Sequence, residues 1–95
     1  MSKNTASYLE GLDESLKDPE FVAEYLSAAA DEGRAELLLA LRDVARARGM
    51  ADVANEAQRG RESLYKVLSD QGNPELETFL LVLHALKVKL HFEPA

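Results

Sequence analysis

A chain of 95 residues, 46% hydrophobic and 29% charged, has the size and composition of one small folded domain. It contains no cysteine, which excludes a disulfide framework, a thiolate metal site and a cysteine nucleophile, and fits a reducing, cytoplasmic setting. The net charge of −6 is unevenly placed: residues 1–33 hold two basic and eight acidic groups, residues 34–95 nine of each, so the whole excess sits in the first third.

Residues 1–17 show little periodicity and scatter Ser, Asn, Thr and Gly, so they are expected to form a mobile or partner-ordered arm. They open without a charged-then-apolar leader, so no secretory signal is expected. One folded domain is expected over 18–95. Asp18-Pro19-Glu20 supplies an N-cap, a proline for the first helical position and an acid for the first turn. Phe21, Val22, Tyr25, Leu26 and Ala29 follow at one-face helical spacing, and Gly33 stops the helix.

A second helix is predicted from about Ala35 to Arg48, with Leu37, Leu38, Leu41, Val44 and Ala45 as its apolar stripe. Arg42, Arg46 and Arg48 gather toward its C-terminal end, where cations suit the macrodipole, and read as a solvated helix end before Gly49. Two short helices come next. Ala51–Ala57 buries Val53, Ala54 and Ala57. Gln58-Arg59-Gly60 is the break. Arg61–Ser69 buries Leu64, Val67 and Leu68.

Asp70 to Pro74 is a loop by every local signal. A last helix is predicted over about Glu75–Leu86, with Leu76, Phe79, Leu80, Leu83 and Leu86 on its inward side. Val88-Lys89-Leu90-His91-Phe92 alternates at period two and reads as a strand. A lone strand leaves its backbone groups unpaired, so its partner should be the same strand of a second copy or a strand of another protein. Val88, Leu90 and Phe92 are the expected dimer residues. No run approaches the roughly 18 apolar residues of a membrane span.

The chain offers little to a catalyst. His84 and His91 are the only histidines and lie outside any short metal-ligand spacing. The carboxylates sit mostly on polar helix faces, and neither a serine–histidine pairing nor a glycine-rich phosphate loop is present. The expectation is a non-enzyme without metal or cofactor.

One constellation stands out. Val53 and Ala54, a tight turn, and Leu64 fit the helix-turn-helix template over about 51–69. A small residue at Ala54 lets the two helices cross closely, and Val53 and Leu64 lock them onto the core. The second helix then offers its outer face to a major groove about 12 Å wide. Arg61 and Lys66 can donate to guanine acceptors and Glu62 can accept from cytosine, which makes these three the base-edge candidates. Arg59, Ser63, Tyr65 and Asn73 are candidates for phosphate contact, Asn73 being equally a turn former. Residues 59–66 carry three basic groups and one acidic, a basic patch in an acidic chain. The same face would also suit an ordinary solvated helix of a small bundle.

These stretches resemble a known family. Asp18-Pro19-Glu20 with Tyr25-Leu26, then Leu39 to Val44 and Ala45 with Ala47-Arg48-Gly49-Met50, carry the likeness. So do Gly60-Arg61-Glu62-Ser63-Leu64-Tyr65-Lys66-Val67-Leu68-Ser69, Gly72-Asn73-Pro74, Leu83-His84-Ala85-Leu86 and Val88-Lys89-Leu90-His91. Over residues 18–93 the chain is similar to the addiction-module antidote family, prophage-type helix-turn-helix antitoxins of the Cro/C1 class. The resemblance implies an all-α, five-helix Cro/C1-type domain with one short C-terminal strand paired across a homodimer. It also implies a type II toxin–antitoxin module, in which the chain neutralises a small RelE/ParE-type toxin by direct binding and represses their shared operator. The alternative is a stand-alone prophage-type regulator with no toxin partner.

If there is a toxin, the acidic first third is the surface expected to meet its basic face, with Asp18, Glu20, Glu24, Asp31 and Glu32 as contacts. The same acids would equally serve solubility and helix capping. Three positions depart from the family pattern. Ala51 stands where a Ser or Thr N-cap is common, at a cost of about 1 kcal/mol. Arg59 stands where the turn is usually apolar, so that its stem would cover the core while its head reaches a phosphate. Lys87 replaces a usual glycine.

Overall fold

Single glycines set the joints of this helical chain. In the computed structural model, which describes residues 11–95, Gly33 alone separates α1 (Pro19–Glu32) from α2 (Arg34–Arg48), and Gly49 alone separates α2 from α3 (Met50–Glu56). Gly49 holds φ +104°, a backbone angle at which a side chain is strained. A turn over residues 57–60 leads to α4 (Arg61–Val67), and a loop leads to α5 (Leu76–Ala85). The described residues contain no strand.

The start of α1 follows its sequence signals. The Asp18 carboxylate accepts from the Glu20 N–H at 3.2 Å and Pro19 occupies the first turn, while at the other end the Gly33 N–H donates to the Ala29 carbonyl. α1 packs on α2, burying Val22 and Leu26. α3 occupies the centre and touches α2, α4 and α5. Helices of seven residues do not persist alone in water, so α3 and α4 exist through this packing. Val53, Ala54, Ala57, Leu64 and Leu68, all at most 3% exposed, are the contacts that hold them. Each fully buried leucine contributes roughly 1.5–3 kcal/mol relative to exposure.

Four expectations need correction. The arm predicted over 1–17 lies outside the described residues as far as residue 10. From there on the chain is structured: residues 11–15 are helical and Leu16 is fully buried in the core. Leu12 and Leu16 are four apart and share one helical face, a signal too short to register as periodicity.

The predicted strand is absent among the described residues, where residues 88–95 lack regular structure. Alternation sets only which side each residue faces, and a ladder needs a partner strand, which the described residues do not supply.

The inward face of α5 matches the predicted one at Leu83 and Leu86 and departs from it at Leu76 and Leu80. Thr78, Val82, Leu83 and Ala85 are buried, whereas Leu76 is 68% exposed and Leu80 42%. The helix is apolar nearly all round, so periodicity alone could not orient it. Finally, Ala51 is not an N-cap. Gly49 holds that position and Ala51 lies within the first turn of α3, so the expected capping penalty at Ala51 does not arise.

Two helix ends share one device. The Arg59 N–H donates to the Ala54 carbonyl and the Gln58 N–H to Asn55, with Gln58 at φ +59°. The Val88 N–H donates to Leu83 and the Lys87 N–H to His84, with Lys87 at φ +64°. Both are Schellman caps whose left-handed position is usually glycine. The departure at Lys87 is therefore a side chain placed where backbone geometry favours none.

Candidate nucleic-acid interface

Leu64 and Leu68 fix α4 from below, with Tyr65 and Val67 partly buried against the same core. Arg61, Glu62, Ser63 and Lys66 are exposed, and Tyr65 is half-buried. Arg61, Glu62 and Lys66 thus lie exposed together on one short helix. The hydroxyl of Ser69 closes the far end by donating to the Lys66 carbonyl at 2.9 Å.

Arg59 is less free than expected. Its Nε donates to Thr78 Oγ1 at 3.1 Å and its Nη1 to the Gln58 carbonyl at 3.0 Å, so much of its donor capacity ties the turn to α5. Asn73 is exposed in the loop between α4 and α5. That loop is anchored beside it. Arg34 Nη1, from the start of α2, donates to the Gly72 carbonyl. A Cβ on Gly72 would fall on the Val67 carbonyl, so the close return of the loop against α4 requires glycine.

No local pattern in the chain points to the group beside Tyr65. The Arg42 guanidinium, from α2, lies over the Tyr65 ring at 5.6 Å from its centroid. Only the packing of α2 near α4 reveals this, because the two residues are far apart in the chain. Arg34 and Thr78 were likewise invisible to a reading of local patterns.

The acidic candidates lie on another element. Asp18 caps α1, and Glu20, Glu24, Asp31 and Glu32 are exposed and outside any ion pair among the described residues. Glu20, Glu24 and Asp31 share one face of α1 by helical spacing. Val88 is half-buried against the core, whereas Leu90 is 48% and Phe92 84% exposed. An open groove of about 790 Å³ runs between α1 and this C-terminal segment, with Leu26, Ala30, Phe79, Val88 and Leu90 among its walls.

Among the described residues no cluster of His, Asp or Glu could hold a metal ion, and no helix is long and apolar enough to cross a membrane.

Residues 7–94 match the family profile described as "Probable addiction module antidote protein". The chain belongs to this addiction-module antidote family. A relative from Haemophilus influenzae, described as an uncharacterized protein, is 41% identical over 81 residues, covering 84% of each chain. No solved structure matches the antidote chain. The matched region spans α1 to α5 and both candidate surfaces, the exposed face of α4 and the acidic face of α1.

Proposed function

We propose that this antidote chain is the antitoxin of a type II toxin–antitoxin module, with two surfaces for two partners and no catalysis of its own. The α3–turn–α4 unit acts as a helix-turn-helix of the Cro/C1 type and represses the chain's own operator. Arg61, Glu62 and Lys66 read base edges, while Ser63, Tyr65, Asn73 and the remaining donors of Arg59 meet phosphates. The observation that carries this reading is the exposure of Arg61, Glu62 and Lys66 together on a helix held by Leu64 and Leu68, in a member of an antidote family.

The acidic face of α1 meets a small basic toxin of RelE/ParE type. Opposite charge across that contact speeds encounter and fixes orientation more than it deepens affinity. Val88, Leu90 and Phe92 complete a homodimer in which this segment, without regular structure in the single chain, pairs with its copy. Such a dimer sets two α4 helices in successive major grooves, about 34 Å apart.

The test is co-expression and gel shift. The chain should restore growth to cells expressing a small basic toxin encoded beside its gene, if the adjacent reading frame encodes one, and should retard DNA from immediately upstream of that gene. Retardation without rescue would leave a stand-alone regulator, and rescue without retardation would remove the repressor role.

A further inference from the structure

We infer that Arg42, on α2 and outside the α3–turn–α4 unit, is a phosphate-binding residue of the DNA-contact surface, braced in place by Tyr65. This rests on the DNA-binding reading above. Its guanidinium carbon sits 5.6 Å from the centroid of the Tyr65 ring, which puts a positive charge beside α4, at the turn that also carries Lys66.

Apart from the Tyr65 ring, that charge meets no partner among the described residues. Among the described residues no carboxylate lies within ion-pair distance of Arg42. The neighbouring Asp43 is engaged elsewhere, accepting from the Tyr25 hydroxyl at 2.8 Å. The Nε of Arg42 is closed off from solvent without a hydrogen-bond partner, whereas neither of its Nη groups is both enclosed and unpartnered. A half-buried guanidinium has lost part of its hydration, so an acceptor that reaches its Nη groups is favoured there. A phosphate is the acceptor that suits it, because the planar fork gives two parallel hydrogen bonds and the charge is opposite. Stacking on an aromatic ring leaves that fork open, as an ion pair would not.

The experiment measures affinity by fluorescence anisotropy between about 50 and 200 mM salt. Two labelled duplexes of equal length serve as probes, one from immediately upstream of the gene and one of random sequence. Arg42→Met keeps the stem that covers the core and removes the charge, and Arg42→Lys keeps the charge; thermal melts verify that both fold.

The inference requires Arg42→Met to weaken binding to both duplexes by about the same factor. It also requires the slope of log affinity against log salt to become shallower by about one per protomer. Arg42→Lys should keep the wild-type slope. If Arg42→Met loses affinity with an unchanged slope, or binds as wild type, Arg42 is a packing residue and the inference fails alone. If the wild-type chain binds neither duplex, the DNA-binding reading fails and takes this inference with it.

Discussion

Arg59 Nε donates to Thr78 Oγ1 at 3.1 Å, joining the turn between α3 and α4 to the first turn of α5. Thr78 is 7% exposed, a polar side chain set among apolar ones, and Arg59 is its partner. Thr78→Val keeps the shape, removes the acceptor and leaves a half-buried donor unmet. It should lower stability by about 1 kcal/mol. In a chain this short that is a fall of roughly 4–8 °C in Tm. A thermal melt of the variant indistinguishable from wild type would show that the bond contributes nothing.

The two Schellman caps at Gln58 and Lys87 predict gains. A side chain in the left-handed region costs roughly 1–2 kcal/mol, and glycine returns part of that through its freer unfolded state. Gln58→Gly should stabilise by about 0.5–1 kcal/mol in urea denaturation. Lys87→Gly should gain less, because it also removes the exposed Lys87–Glu56 pair at 3.4 Å. Destabilisation by Gln58→Gly would mean that the turn is held by that side chain rather than strained by it.

Gly72→Ala should have the opposite sign. The added methyl meets the Val67 carbonyl, so the loop must move away from α4 and from Arg34. A loss of about 2–3 kcal/mol is expected from the same denaturation series. Asn73, next in the chain, should be displaced with it, so DNA affinity of the folded variant should also drop.

The dimer reading is open to a surface test. Phe92 is 84% exposed in the single chain, so Phe92→Asp leaves the fold intact. If Leu90 and Phe92 pair across two copies, the variant should sediment as a monomer where the wild type sediments as a dimer. Equal sedimentation of the two would place the dimer contact elsewhere.

The acidic face cannot be tested by truncation, since removing α1 also removes Val22 and Leu26 from the core. Reversing the charges of the exposed Glu20, Glu24 and Asp31 to Lys is the suitable variant. Association with the basic toxin should slow by at least tenfold at low salt, with the difference shrinking as salt rises. Unchanged kinetics would assign those acids to solubility.

The bounds of α1 and the exposed triad on α4 were legible in sequence because their signals are local. Asp18-Pro19 at one end and Gly33 at the other bracket α1, and Leu64 to Leu68 sets which way α4 faces. The facing of α5 was only partly legible, because a helix with Leu76, Phe79, Leu80, Leu81, Val82 and Leu83 has no polar stripe to orient it. The burial of Leu16 rests on a single turn of helix. Arg42 over Tyr65, Arg34 on Gly72 and Arg59 on Thr78 join residues that are distant in the chain. Each depends on how helices pack, which no local pattern encodes.

The central claim is that the exposed face of α4 reads DNA sequence. The most direct measurement is the affinity of the wild type, Arg61→Ala and Lys66→Ala for DNA from immediately upstream of the gene, against a random duplex at the same salt. The wild type should prefer its own upstream DNA by at least about a thousandfold. Lys66→Ala should weaken that binding, and Arg61→Ala should also narrow the preference. Equal affinity of the wild type for both duplexes, or both variants binding as the wild type does, would contradict the claim.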